Sequence, residues 1–124
     1  MSAMQRRKGA DGERELAREL RERLGADVVR NLVQARAGGS DLLGIEGWAI
    51  EVKRAARPRL TAWWLQCCQQ AEAVSERPAL FYRLDRQTWR VVLALRDVAA
   101  GCDGAPFTLK VETDLDAFAA LVRR

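Results

Sequence analysis

Two acids and a lysine in the first half of the chain have the types and spacing needed to cut a phosphodiester bond. Asp41 lies ten residues before Glu51, and Lys53 follows Glu51 two residues later. A divalent cation takes oxygen ligands from more than one chain segment, and Mg2+ keeps several waters beside one or two carboxylates. A water beside such a cation loses a proton more readily and becomes a nucleophile. These residues therefore predict metal-assisted hydrolysis of a phosphodiester.

The segment Trp48 to Lys53 predicts a strand that aims Glu51 and Lys53 the same way. The two residues are i and i+2, so their side chains leave one face of a strand. The acid can then hold the cation while the lysine orients the water or balances charge on the phosphate. A solvent-facing strand surface would show the same alternation, and a lone Asp41 after glycines would also suit a turn. The local pattern leaves these alternatives open.

The turn around Glu46 and Gly47 decides whether the acids meet. A three-residue loop with Gly47 in the left-handed position pairs Gly44 with Trp48 and places Asp41 opposite Glu51. A two-residue loop would put the two acids on opposite faces of the hairpin. The metal-site hypothesis therefore predicts the three-residue loop.

An amphipathic helix is predicted over Gly12–Leu24, with Asp11 as N-cap and Gly25 as its end. Glu13 lies three residues before Leu16 and so falls on the apolar stripe. A buried carboxylate needs a partner, which a metal or a lysine could supply. The alternative is that acids are common in first turns because the helix dipole favours them.

Two motifs carry a resemblance to a known family. Ser40-Asp41, followed by Glu51-Val52-Lys53, resembles the PD-(D/E)XK nuclease superfamily, with Ser40 where the superfamily name has proline. The segment Lys8 to Leu16 resembles the K-G-x-x-x-E-R-E-L opening of archaeal-type Holliday junction resolvases. The resemblance runs from about Lys8 to Lys53 and extends more loosely to the helix near Gln66.

The resemblance implies an α/β fold with a restriction-endonuclease-like three-layer core, in which α-helices flank a mixed β-sheet. It implies one nuclease domain over residues 9–124, preceded by a flexible basic arm of residues 1–8. It also implies Mg2+, or alternatively Mn2+, as cofactor and products with a 5′-phosphate and a 3′-hydroxyl. The implied metal ligands are Glu13, Asp41 and Glu51, and the implied catalytic residues are these three with Lys53 and Gln66.

Contacts to DNA are predicted at basic and polar residues near this site. They are Lys8, Arg36, Ser40, Arg54, Arg57 and Gln70, where Gln70 is the second choice after Gln66 for the glutamine that serves the site. Arginine suits bidentate contact with phosphate. The alternatives are a frayed terminus at Lys8, a plain turn at Arg36, solvated loop arginines, and glutamines that only favour the helix surface.

The rest of the chain predicts elements that complete one sheet. They are a strand over Asp27–Gln34, a helix over Thr61–Ser75 capped by Thr61, strands over Ala79–Leu84 and Trp89–Leu95, a short helix over Arg96–Ala100, a strand over Pro106–Val111, and a helix over Asp114–Val122 capped by Asp114.

Composition limits the classes of function. The 124 residues suit one domain, and a net charge of +4 with pI near 9.4 suits a polyanionic partner or simple solubility. The absence of histidine excludes His-dependent triads, HNH chemistry and His-containing zinc sites. Three cysteines without C-x-x-C spacing, and no signal peptide or spanning run, predict a cytoplasmic protein without a membrane partner. The family resemblance implies a bacterial or phage-infected host cell and a protein that a phage could encode.

The resemblance implies metal-dependent, structure-selective cleavage of DNA, like that of a Holliday junction resolvase, with branched DNA as the partner. A resolvase cuts two strands symmetrically, so a homodimer acting in DNA recombination or repair is expected. The alternatives are a nickase, a repair or restriction-like nuclease of the same fold, a non-catalytic nucleic-acid-binding module, and an unrelated protein–protein adaptor.

Overall fold

Helices and strands alternate along the chain, as in an α/β protein. The structure is a computed structural model that describes residues 2–33 and 40–123. Its elements are α1 (Ala3–Leu24), β1 (Val29–Arg30), β2 (Leu42–Leu43), β3 (Trp48–Ala55), α2 (Leu60–Ala73), β4 (Arg77–Leu84), β5 (Arg90–Ala94), α3 (Leu95–Val98), β6 (Lys110–Thr113) and α4 (Leu115–Arg123). In these described ranges, no helix has an apolar stretch long enough to cross a membrane.

The strands form one mixed sheet of six, ordered as they occur in the chain. β3 and β4 run parallel, and every other neighbouring pair is antiparallel. A parallel pair requires a crossover connection, which α2 provides between β3 and β4. The predicted mixed sheet is therefore confirmed.

Helices cover both faces of the sheet and give three layers. On one face, α1 and α4 pack on the sheet around buried side chains that include Leu16, Leu20, Ile50, Phe81 and Phe118. On the other face, α2 packs around Trp64, Cys67, Leu80 and Val92. β3 contributes alternate residues to the two layers, and the second face is the one that carries Glu51 and Lys53.

The first helix is longer than predicted. It begins at Ala3, so the segment up to Lys8 is helical where a flexible arm was expected. Ser2 caps it reciprocally: its hydroxyl accepts from the N–H of Gln5 at 3.1 Å, and the Gln5 side chain accepts from the N–H of Ser2 at 3.0 Å. This capping box starts the helix well before Asp11, which lies inside the helix and is not its N-cap.

Several other predicted boundaries are wrong by a few residues. Within the described part of the predicted first strand, only Val29–Arg30 are extended, and residues 34–39 lie outside the description. β6 begins at Lys110, four residues after the predicted start. Arg59, not Thr61, holds the cap position of α2, and its side chain makes no capping hydrogen bond.

The closing helix is capped as predicted. The N–H of Ala117 donates to the Asp114 carboxylate at 2.8 Å. In α2, Trp64, Cys67, Cys68 and Ala71 are buried, whereas Val74 is 46% exposed because the helix ends at Ala73.

Glu15 ties α1 to the hairpin of β4 and β5. Its carboxylate accepts two bonds from the Arg83 guanidinium, at 2.8 and 3.0 Å, and one from the Trp89 indole at 2.8 Å. Hydrogen bonds to a charged group contribute more than neutral ones, and removing the acceptor leaves two donors unpaired.

We therefore expect Glu15→Ala to lower the free energy of unfolding by about 2 kcal/mol. Urea denaturation followed by tryptophan fluorescence measures this, with Glu22→Ala on the exposed face of α1 as the matched control. Equal stability of the two variants would show that the Glu15 network contributes nothing to the docking of α1.

Candidate active site

The hairpin of β2 and β3 brings the two acids together. Leu42 pairs with Ile50 in antiparallel register. One residue further out, the same register places Asp41 opposite Glu51, and both side chains leave the same face of the sheet. The predicted pairing of the acids is thus confirmed.

This hairpin has the register predicted for a three-residue loop, because Leu42 pairs with Ile50 and Gly44 therefore lies opposite Trp48. Within the loop, the N–H of Trp48 donates to the carbonyl of Ile45 at 3.3 Å, and Gly47 has φ of 85°. This backbone conformation is costly for residues with a Cβ but not for glycine. A local glycine therefore sets the register on which the site depends.

Backbone groups of β3 hold Asp41 in place. The N–H of Asp41 donates to the carbonyl of Ile50 at 2.6 Å, and its Oδ2 accepts from the N–H of Val52 at 2.7 Å. Beside it, the hydroxyl of Ser40 accepts from the N–H of Ile50 at 3.0 Å. Asp41 is only 6% exposed, and the bond from Val52 fixes the orientation of its carboxylate.

Burial and electrostatic repulsion raise the pKa values of both acids. Burial, and next the charge of Glu51, raise the pKa of Asp41 to about 7. Burial also raises the pKa of Glu51, while the neighbouring ammonium of Lys53 acts in the opposite direction. The Lys53 Nζ lies 3.4 Å from Glu51 Oε1. The ammonium of Lys53 thus offsets part of the cost of two buried carboxylates.

Glu13 approaches the pair from α1 but is held by an arginine. Its Oε1 accepts from the Nε of Arg30 at 2.9 Å, and its side chain is 21% exposed. Its charge still raises the pKa values of Asp41 and Glu51. The partner predicted for this acid was a metal or a lysine, and the observed partner is an arginine of β1.

A cleft of about 780 Å3 opens over the acids at the ends of α1 and α2. Among the described residues, five basic side chains line it, and they belong to Arg6, Arg30, Lys53, Arg54 and Arg59. Three acids, Glu13, Asp41 and Glu51, line its floor. Two glutamines also line the cleft, Gln5 from α1 and Gln66 from α2. The cleft can therefore hold a phosphate against a small acidic centre.

Residues 4–113 match the family described as "Phage putative PDDEXK endonuclease". The chain belongs to the PDDEXK endonuclease family. The matched segment runs from the first turn of α1 to the end of β6 and contains Glu13, Asp41, Glu51 and Lys53. The family resemblance expected from the two sequence motifs is confirmed.

A solved structure with a similar fold is Hjc of Archaeoglobus fulgidus, a Holliday junction resolvase from an archaeal hyperthermophile. The two chains share 18% identity with a TM-score of 0.59, over 89% of this chain and 97% of that one. The likeness confirms the restriction-endonuclease-like three-layer fold of this PDDEXK family member. No curated protein matches the chain.

Two of the predicted DNA contacts, Lys8 and Arg54, converge on an exposed acid of this PDDEXK chain. The Lys8 Nζ lies 2.7 Å from Asp85 Oδ1, and the Arg54 Nη2 lies 3.5 Å from the same oxygen. The hydrogen bond from Lys8 holds the pKa of Asp85 below its usual value. Arg54 lines the cleft, and its stem packs on Gly12, where a Cβ would collide with it. Lys8 lies outside the cleft lining.

The other predicted DNA contacts fall in different places. Arg57 is exposed but does not line the cleft. Ser40 is buried, and its hydroxyl accepts from the backbone of Ile50. Arg36 lies outside the described residues.

The structure separates the two candidate glutamines. Gln66 lines the cleft, one turn after Trp63, which lines it too. Gln70, one further turn along α2, does not. The cleft geometry therefore favours Gln66, the first choice from the sequence.

We expect Gln66→Ala to slow DNA cleavage by about 10-fold and Gln70→Ala by less than about 2-fold, because polar groups next to a metal centre typically carry effects of that size. Single-turnover cleavage measures both. The two variants are matched in residue type and helix, so equal losses would contradict a role for Gln66 in the cleft.

Sequence reasoning missed the ion pair of Arg30 with Glu13 and the contribution of the first turns of α1 to the cleft. Arg30 and Glu13 are 17 residues apart on different elements, and no local pattern joins them. Gln5 lines the cleft because α1 starts at Ala3, and the capping box of Ser2 and Gln5 was the available signal.

The donor set suits a divalent cation with few protein ligands. Two buried carboxylates with raised pKa values lie on one floor, and a cation there would offset their repulsion. Within residues 2–33 and 40–123, no three acids or cysteines are close enough to form a complete ligand cluster. Asp41 and Glu51 thus fit a divalent cation that needs only one or two carboxylates, as Mg2+ does, and Glu13 is bonded to Arg30.

Proposed function

We propose that this PDDEXK family member is a metal-dependent DNA endonuclease that acts on branched DNA, with Mg2+ or Mn2+ as cofactor. The observation that carries the proposal is the buried pair Asp41 and Glu51, with Lys53 beside it, on the floor of a basic cleft. Family membership supports the reaction class, and the phage family supports action inside a bacterial host cell.

Asp41 and Glu51 are the proposed metal ligands, and Glu13 supports them from α1. A divalent cation bound there supplies positive charge to the phosphate and lowers the pKa of an adjacent water. The backbone bond from Val52 keeps Asp41 aimed at the cleft. Burial excludes bulk water and so strengthens the interactions of the two carboxylates with a cation.

Lys53 is the proposed charge partner of the scissile phosphate. Its side chain is 27% exposed, so the ammonium can reach the cleft while it stays near Glu51. From there it can orient the attacking water and offset charge that develops on the phosphate oxygens. Arg54 and Arg59 line the same cleft and can hold the flanking phosphates.

The preference for branched DNA is supported by the shared fold with a Holliday junction resolvase and by the small size of the chain. A domain of this size reads DNA mainly through phosphates and shape and has little surface for base readout. Paired cuts on a junction would need two active sites, so a homodimer in DNA recombination or repair is part of the proposal.

The test is cleavage of an end-labelled synthetic four-way junction beside matched duplex and single-stranded DNA. Reactions contain Mg2+, Mn2+ or EDTA, with wild type and Glu51→Ala. Metal-dependent paired cuts on the junction, absent in Glu51→Ala, are expected. Metal-dependent cutting of all DNA or of duplex alone would retain the nuclease and reject junction selectivity. Binding without cutting in any metal would favour a non-catalytic nucleic-acid-binding module.

A further inference from the structure

A second groove of about 670 Å3 runs along α1 next to the cleft. Four arginines line it, namely Arg14, Arg18, Arg21 and Arg30. Arg30 also lines the cleft, so the two depressions share a wall. A DNA strand that passes through the cleft would therefore leave it directly over this groove.

The arginines of α1 recur at i, i+4 and i+7, which puts them on one side of the helix. Their span is about 10 Å along the helix axis, roughly the axial distance taken by three phosphates of one DNA strand. Arg18 is exposed, and no described carboxylate lies within ion-pair distance of it. The Nη1 of Arg21 donates to the carbonyl of Val28 at 2.7 Å, which fixes its guanidinium at the groove.

Two acids, Asp11 and Glu15, also line the groove, and each is paired with an arginine. Glu15 is bonded to Arg83, and Asp11 lies 3.0 Å from Arg14 in an exposed contact. Elsewhere on α1, Glu13 and Glu19 pair with Arg30 and Arg23, each at 2.9 Å. The surface of α1 that faces the groove is therefore positive at Arg18 and Arg21.

We propose that this groove binds the sugar-phosphate backbone of a duplex arm that leaves the cleft, with Arg18 and Arg21 as the distal phosphate contacts. The inference rests on the proposed nuclease function for the course of the DNA. Guanidinium groups suit bidentate contact with phosphate, and such contacts carry no base information. The groove would strengthen binding without taking part in cleavage.

The experiment is fluorescence anisotropy of a labelled four-way junction titrated in EDTA over a series of salt concentrations. The variants are Arg18→Gln and the double variant Arg18→Gln/Arg21→Gln. The control is Arg86→Gln/Lys110→Gln, which removes two charges at exposed positions outside both depressions. Single-turnover cleavage with saturating enzyme is measured on all four proteins in parallel.

Each lost phosphate contact lowers the slope of log K against log salt by about 0.9. We expect a slope lower by about 1 for Arg18→Gln and by about 2 for the double variant, whose affinity falls about 10-fold at physiological salt, with an unchanged cleavage rate. The control keeps the wild-type slope. Because Arg18 makes no structural ion pair, the single variant tests the groove even if Arg21→Gln loosens the contact with Val28.

Unchanged slopes in both groove variants, or an equal drop in the control, would overturn the groove proposal and leave the nuclease intact. A wild type that binds through the groove but cuts nothing would retain the groove and reject the nuclease. A wild type that does not bind DNA would reject both.

Discussion

Glu51→Gln is expected to lower the DNA cleavage rate by about 1000-fold while the protein stays folded. The carboxylate lies on the floor of the cleft, and its amide counterpart can neither supply the charge for a cation nor position it beside Asp41. The substitution conserves shape and removes one of two repelling buried acids, so the free energy of unfolding should stay the same or rise. Single-turnover cleavage with Mg2+ and thermal unfolding measure the two effects.

Glu46→Gln is the matched control, because Glu46 is an exposed acid in the turn of the same hairpin. It should cut DNA at the wild-type rate. Lys53→Met should lose about 100-fold, since the ammonium acts on the phosphate and not as a cation ligand. A Glu51→Gln protein that retains more than about a tenth of wild-type activity would remove Glu51 from the metal site.

The second large effect is a loss of stability of the metal-free protein as the pH rises from about 4 to about 8. Asp41 has a folded-state pKa raised to about 7, mainly by burial, against an ordinary value of 3.8. A proton on Asp41 therefore stabilises the folded state fully below pH 4, and this stabilisation is lost as the pH passes through 7. The loss is on the order of 3 to 4 kcal/mol, and the raised pKa of Glu51 adds to it in the same direction.

Urea denaturation in EDTA at pH values between 4 and 8 measures this dependence, and Asp41→Asn is the comparison because it cannot ionise. We expect Asp41→Asn to remove most of the change in the free energy of unfolding with pH. Addition of Mg2+ should raise the stability of wild type at pH 8, have little effect at pH 5, and have little effect on Asp41→Asn. Equal slopes for the two proteins would show that Asp41 ionises in the fold without cost.

The parts of the site that depend on local geometry could be predicted from the sequence. The two-residue period of a strand places Glu51 and Lys53 on one face, and a glycine in the turn at Gly47 sets the register that brings Asp41 opposite Glu51. The apolar stripe of α1 placed Glu13 on the side that meets the sheet. These features follow from residues within a few positions of one another.

Helix ends also have local signals, but the predicted N-cap of α1, Asp11, is not the observed one. The Ser2 and Gln5 side chains form the cap that starts α1, whereas Asp11 has the residue type of a cap but lies inside the helix. Two cap signals in one segment compete, and the one further upstream allows more helical hydrogen bonds to form.

The partners that surround the acids depend on contacts between elements that are distant in the chain. Arg30 reaches Glu13 from β1, and Lys8 and Arg54 meet at Asp85, across 17 or more residues in each case. The packing of α2 on the sheet places Gln66, and not Gln70, in the lining of the cleft. The pKa of Asp41 likewise depends on burial under distant elements. The physical reason is that long-range pairing and desolvation depend on how whole elements pack, which no short stretch of sequence specifies.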